Sequence, residues 1–243
     1  MRSAIVIGMA AATLASTGCA RERSESPGPA TTRNYQVGPF QRLEVAGPYD
    51  VTVATGGAPS VSASGGENAI AQMVVEVTGD TLKIHPEKRS GMSFGWSDSS
   101  GAPVKLTVTV PSLSAAELAG SGNIAVDKVA GDKFEAEVAG SGGLRLGQVD
   151  VQRLKADIAG SGKFHAGTGH AAVAQYGIAG SGDIDAAGLV TETSSVSIAG
   201  SGNVTAQATG TAKVDIAGSG DVKLSGGAKC TVSRAGSGNV DCS

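Results

Sequence analysis

The sequence is poor in the residue types that most site chemistry needs. It has three His, four Phe, three Tyr and one Trp in 243 residues. So few rings leave little material for an aromatic-lined catalytic pocket or a base-stacking surface. An excess of basic charge is also missing. Nineteen basic against 22 acidic side chains give a net charge of −3, which argues against a nucleic-acid partner. Beyond the N-terminal leader, no apolar run is long enough to span a bilayer. What is abundant is glycine, 37 residues beside 8 Pro. That content disfavours a helical bundle. Gly does not recur every third residue, so collagen is excluded too. An exported, all-β, repetitive protein remains.

Arg2 supplies a short positive start, residues 4–14 are apolar, and Ser16-Thr17-Gly18-Cys19 follows. Residues 1–18 read as a signal peptide. The Gly-Cys junction resembles the lipobox of bacterial lipoproteins, although Ser16 stands where that motif usually has Leu. The resemblance implies a lipid-bearing N-terminus at Cys19. Ala20, rather than Asp, after it implies the outer membrane. The competing reading is a plain signal peptide and a soluble secreted product. Residues 19–34, the Cys and the small, polar and charged residues after it, read as a lipid-bearing flexible tether. Membrane attachment would then run through the lipid alone.

Export implies an oxidising compartment. With Cys19 assigned to lipid, Cys230 and Cys242 are left to form one disulfide at the last turn of the fold. Two buried free thiols are the alternative. A metal pair is disfavoured because no His lies nearby.

The tetrapeptide Ala-Gly-Ser-Gly begins at Ala119, Ala139, Ala159, Ala179, Ala199, Ala217 and Ala235, at spacings of 20, 20, 20, 20, 18 and 18. Its flanks repeat as well. Leu118, Val138, Ile158, Ile178, Ile198, Ile216 and Arg234 precede the copies, and Ile124, Leu144, Phe164, Ile184, Val204, Val222 and Val240 follow them. These columns alternate with polar residues at period two, which is strand patterning. Units of this length, with two or three short strands each, fit the coils of a right-handed parallel β-helix, or β-solenoid. Apolar columns should face in and polar columns out. An up-and-down antiparallel barrel, each repeat a hairpin, is the alternative. Arg234 breaks its apolar column where a terminal coil would meet water.

Residues 35–111 form a non-repetitive β region, and residues 112–243 the repetitive solenoid continuous with it. Phe40-x-x-Leu43, the Val51-Thr-Val53 strand, Leu82-x-Ile84, residues 104–110 running into Pro111-x-Leu113, and then the Ala-Gly-Ser-Gly repeats come in order. That order resembles the bacterial family called putative auto-transporter adhesin, head GIN domain, over about residues 35–243. The resemblance implies a β-helical fold and an envelope location. It brings no catalytic residues and no cofactor.

Several columns could hold chemistry. Arg145, His165 and Asp185 should fall on successive rungs, putting a cation, a base and an acid together as in polysaccharide-active β-helix enzymes. A mixed-charge solvated face explains them more simply. His85 and His170 read as isolated loop residues. The column Asn123, Gly143, Lys163, Asp183, Asn203, Asp221 and Asn239 touches the theme of Gly-rich Ca²⁺ repeats, but it contains a lysine and the wrong period. Glu117, Glu137 and Asp157 form a second acidic column that a solvated face also explains. The Ser column from Ser121 to Ser237 lacks a repeated base and reads as turn hydrogen bonding.

Binding residues concentrate in residues 88–102, which contain Met92, Phe94 and Trp96 in a Gly/Ser setting. Folding back to cap the solenoid end is the plainer role for them. The expectation is a non-catalytic, lipid-anchored envelope module of adhesion type, with envelope proteins or surface glycans as partners. The rivals are a structural envelope protein and, less favoured, a polysaccharide-active enzyme.

Overall fold

One coil of alternating apolar residues cannot bury its own inner face, so coils of this kind must stack. The computed structural model, which describes residues 28–87 and 103–243, has that stack. Strands β1 (Ala30–Tyr35), β2 (Arg42–Ala46), β3 (Asp50–Thr55) and β4 (Ser60–Gly66) lead to the helix α1 (Glu67–Ala71). Next come β5 (Met73–Thr78), β6 (Thr81–Pro86), β7 (Lys105–Val110) and β8 (Ala115–Gly120). The repeats form β9 (Asn123–Gly140), β10 (Gly143–Gly160), β11 (Lys163–Gly180), β12 (Asp183–Gly200) and β13 (Asn203–Gly218). The chain closes with β14 (Val222–Ser225), β15 (Lys229–Gly236) and β16 (Val240–Cys242).

Each long strand is a whole coil. From β9 to β11 the neighbours pair in parallel at an offset of twenty, as in Leu144 with Ile124 and Phe164. The register breaks at 127/147/167 and 132/152/172, and the Ala-Gly-Ser-Gly turn makes a third corner. Each coil therefore has three sides, typified by residues 123–126, 128–131 and 133–139. The predicted short strands are these sides. Parallel pairing between successive coils excludes the antiparallel barrel.

Ile124, Leu144, Phe164, Ile184, Val204 and Val222 are buried on one side, and Leu118, Val138, Ile158, Ile178, Ile198 and Ile216 on another. Bulk is balanced within a coil. Phe164 and Tyr176 share their coil with Ala166, Ala171 and Ala174, all buried. The turn needs both of its glycines, for different reasons. Gly140 has φ +123°, a region closed to side chains. A Cβ on Gly142 would press on the Gly122 carbonyl oxygen and Leu118 Cδ2. Between them, Ser141 donates its backbone N–H to Gly120 O at 3.0 Å, and Ser161 and Ser181 repeat the bond. The backbone amides of the Ser column bond from coil to coil, while its side chains lie on the exposed corner.

The change of spacing from 20 to 18 has a local cause. Between β12 and β13 the register jumps after Ala186/Ala206 and again after Thr191/Ala208. The buried pair Thr191 and Ser194 sits at this jump, with their hydroxyls 2.8 Å apart. Thr191 Oγ1 also donates to Gln207 O at 2.7 Å, so a backbone acceptor displaced by the shift is satisfied.

The N-terminal region continues the stack. On one side β1, β4, β7 and β3 lie ahead of β9, and on another β5, β6, β2 and β8 do. Ala46 pairs with Ala119, and Asp50 with Asn123. Ala46-Gly47-Pro48-Tyr49 is thus one more copy of the corner, with Gly47 at φ +129° and Tyr49 in place of the second glycine. Sequence reasoning did not find this copy. Two expectations are corrected. Residues 30–34, read as tether, are strand β1 paired with β4. His85 and His170 are not in loops but in β6 and β11.

Candidate functional surface

The third side of the stack collects the charge. Its outward column runs Glu76, Lys83, Glu44, Glu117, Glu137 and Asp157 on successive rungs. Rungs are about 4.8 Å apart, so these groups feel one another directly. The column beside it holds Arg42, Ala115, Glu135 and Lys155. Ala115 is small, and across it Arg42 reaches Glu135 at 3.3 Å. Lys133 meets Glu135 at 3.4 Å, Lys83 meets Glu44 at 3.0 Å, and Lys155 meets Asp157 at 2.7 Å.

The titration of these groups follows the pairing. Hydrogen bonding to Glu44 pushes Lys83 up, and hydrogen bonding to Asp157 does the same for Lys155. Burial is the largest single influence on Glu135 and acts upward. The hydrogen bonds and charges of Arg42 and Lys133 together outweigh it and hold the carboxyl below its usual range. Glu117 is the exception. Burial first, then the neighbouring Glu137 and Glu44, push it up, and Arg42 and Lys83 only partly oppose this. Among the described residues Glu117 has no ion pair of its own.

Lys133, Glu135, Arg153, Lys155 and Gln175 line a shallow depression on this side. Past it the face is neutral for two rungs, with Gly177 and Ser197 in the first column and Gln175 and Ser195 in the second, and charge returns on the next rung with Lys213 and Asp215, 2.8 Å apart. The sequence columns singled out Glu117, Glu137 and Asp157. They missed Glu44, Lys83 and Arg42, which enter from the non-repetitive region. The signal available was Glu44-Val45-Ala46-Gly47, which is identical to Glu137-Val138-Ala139-Gly140 and differs from Glu117-Leu118-Ala119-Gly120 at one position. Arg42 and Lys83 have no such echo in the repeat.

The first side holds the other candidates. Arg145, His165 and Asp185 do stand on successive rungs. His165 Nδ1 lies 3.1 Å from Asp185 Oδ2, and Ala187 N donates to Asp185 Oδ1 at 3.2 Å. Both side chains of the pair are substantially exposed on a flat face. Such a pair contributes about 0–1 kcal/mol, and the depression on this side lies farther along the same columns, among Thr205, Asp221, Lys223 and Asp241.

The Asn/Asp column bonds to itself. Asn123 Nδ2 donates to Asp50 Oδ1 at 2.8 Å, and Asn203 Nδ2 to Asp183 Oδ1 at 3.0 Å. Asn239 N donates to Asp221 Oδ1 at 2.8 Å, and Lys163 approaches Asp183 at 3.7 Å. These carboxylates are engaged along the ladder. Among the described residues no three His, Cys, Asp or Glu side chains converge as a metal site.

Cys230 and Cys242 are bonded to each other, with Cα atoms 6.6 Å apart. They continue the inward columns of Ala212 and Leu224, as their sequence positions implied. Cys19, Met92, Phe94 and Trp96 lie outside the described residues. Among the described residues no helix is long and apolar enough to cross a membrane.

Known proteins share this architecture. The family model for "Putative auto-transporter adhesin, head GIN domain" matches residues 39–228. A crystal structure described as a putative adhesin from Bacteroides fragilis superimposes with a TM-score of 0.79 at 22% identity, covering 90% of this chain and 99% of that one. One described as a putative lipid binding protein from Parabacteroides distasonis has a TM-score of 0.72 at 25% identity, covering 90% and 98%. A putative adhesin from the same species has a TM-score of 0.69 at 20% identity, covering 89% and 98%. No curated protein matches the sequence.

Proposed function

The chain belongs to the putative auto-transporter adhesin, head GIN domain family, and from that premise we propose that it is a non-catalytic adhesion-type module of the cell envelope. In this reading lipid on Cys19 holds it to the outer membrane. Its flat outer faces then meet an extended partner, a surface glycan or an envelope protein. The observation that supports this best is the third side. There a run of paired and unpaired charges, Glu44, Glu117, Glu137 and Asp157 with Arg42, Lys83 and Lys155, repeats along a flat parallel ladder. A periodic flat surface suits an extended ligand held by many modest contacts. A small molecule needs a concave site that encloses most of its surface. Met92, Phe94 and Trp96 are proposed as a second contact, since aromatic anchors dominate binding energy.

The test is binding of the full chain to intact cells and to isolated envelope fractions. Wild type is compared with Glu117→Lys/Glu137→Lys and with Trp96→Ala. Either variant should bind roughly fivefold more weakly or worse, about 1 kcal/mol, without a loss of thermal stability. No binding by wild type would favour the structural rival. Turnover of an envelope polysaccharide that Arg145→Ala or Asp185→Ala abolishes would favour the enzyme. Labelling with radioactive palmitate that Cys19→Ser removes would support the anchor. Proteolysis of the module on intact cells, rather than only after lysis, would place it outside.

A further inference from the structure

The charges of the third side divide into those already paired and those left over. Lys83 pairs with Glu44, and Lys155 with Asp157. Asp157 lies along its own column, where a Cβ on Gly177 would meet its Oδ1, so the ammonium of Lys155 is drawn to the acidic column. Glu135 is shared between Arg42 and Lys133. Arg153 is left over. It is exposed, stands between Lys133 and Val173 in its column, and has no hydrogen bond or ion pair among the described residues. With Arg42 and Lys133 set against the carboxylate of Glu135 alone, this part of the face has an excess of positive charge. Glu117 and Glu137 are left over in the same sense. They stand on adjacent rungs, both exposed, and neither has an ion pair among the described residues. Glu137 and Arg153 are one rung and two outward columns apart, on the order of 14 Å by strand rise and rung spacing.

Both signs are thus unneutralised on one flat face, held at a fixed separation. A polymer of a single charge would be attracted by one part of it and repelled by the other. The backbone narrows the partner further. β8 is bonded to β2 and β9, β9 to β8 and β10, and β10 to β9 and β11. No strand edge is open there to take a peptide by strand addition. Contact must run through side chains, and these suit a charged sugar. The planar fork of Arg153 matches a carboxylate. Glu117 and Glu137 accept from an ammonium or a hydroxyl, and Gln175, in the depression, offers an amide to hydroxyls. We propose that the third side holds a zwitterionic glycan, a polymer whose sugars carry both carboxylate and ammonium groups. A carboxylate sits on Arg153 and Lys133, and ammonium groups sit on Glu117 and Glu137. This rests on the reading of the third side as the contact face and names the chemistry of its partner.

Titration calorimetry of the full exported chain in detergent, at about pH 6 and ~0.15 M salt, with short β-1,4-linked oligomers tests this. The probes share a backbone and differ in charge. Carboxymethylated chitosan carries both signs, chitosan ammonium alone, and carboxymethylated cellulose carboxylate alone. The first should bind roughly tenfold more tightly than either of the others. Arg153→Gln should erase its advantage over chitosan, and Glu117→Gln/Glu137→Gln its advantage over carboxymethylated cellulose. Arg153→Lys should recover only part of the loss, since an ammonium lacks the fork. Arg145→Gln, on another side of the coil, should change nothing. No binding, or equal affinity for the oligomers, overturns the proposal. So does a preference that Arg145→Gln reduces as much as Arg153→Gln does, since that is diffuse attraction. A peptide of alternating Lys and Glu that binds more tightly than the doubly charged oligomer overturns it in favour of a protein segment. The adhesion reading falls or stands separately. Binding to cells that Glu117→Lys/Glu137→Lys weakens, with equal affinity for the oligomers, keeps that reading and discards this one. A preference for the doubly charged oligomer without binding to cells does the reverse.

Discussion

Glu117 stands between Glu44 and Glu137 on adjacent rungs, and burial adds to their repulsion. Its folded-state pKa is raised above the ordinary 4.5, so the native protein holds this proton more tightly than the unfolded chain does. The resulting stability is fully present below pH 4.5 and is lost as pH rises through the raised value. Glu117→Gln should therefore stabilise the protein at pH 7 by about 0.2–1 kcal/mol, a gain that shrinks as pH falls below 4.5. Thermal melts of both proteins at pH 7 and pH 4 would read it, and equal melting temperatures at pH 7 would contradict it. Tyr176 makes a related case in the interior. Its ring is buried, its hydroxyl has no partner among the described residues, and burial pushes its pKa far up. Removing an unsatisfied hydroxyl relieves about 1 kcal/mol or more of desolvation. Tyr176→Phe should then raise the melting temperature by roughly 2–4 °C. A loss of stability would mean that the hydroxyl has a partner after all.

At the scale of the element, what matters is whether a rung has neighbours on both sides. A middle coil such as β10 is held by β9 and β11, so its corners cannot open alone. The last coil has one neighbour, and its residues from Thr231 to Gly236 are exposed. The disulfide compensates by closing a loop between residues twelve apart, a constraint of about 2–3 kcal/mol. Replacing Cys230 and Cys242 by Ser should therefore speed amide hydrogen exchange in residues 229–243. Exchange in β9 to β12 should stay unchanged, because stability in a stack is local. Uniform acceleration through all coils would show instead that the molecule opens as one unit. The pairing of these cysteines was legible in the sequence because both fall on inward columns of the same coil. The Thr191–Ser194 pair was not legible. Only the register jump explains why two hydroxyls belong in the core.

For the whole molecule, stacking makes the fold nearly one-dimensional. Along one side eleven strands follow one another, on the order of 50 Å at the rung spacing. Removing a complete coil, residues 143–162, brings Asn123-Ile124-Ala125-Val126 against Lys163-Phe164-His165-Ala166 and keeps every inward column inward. The shortened chain should fold, with a lower melting temperature and an unchanged far-ultraviolet spectrum per residue. Deleting half a coil, residues 143–152, puts corners against sides and should leave the chain aggregated or unfolded. Folding of both deletions alike would contradict the register. The period, the inward columns, the all-β class and the site of the disulfide were determined by the sequence alone. Repeated coils meet repeated coils, so a column in the sequence is already a column in space. Where repetition stops, that equivalence stops. Gly47 lies on Gly120 across 73 positions, outside the even spacing of the repeat, and only the short run Glu44-Val45-Ala46-Gly47 echoes it. Only the tertiary structure decided that Arg42 and Lys83 join the repeat carboxylates, because the charged face is assembled by stacking two regions that share little beyond the run Glu44-Val45-Ala46-Gly47.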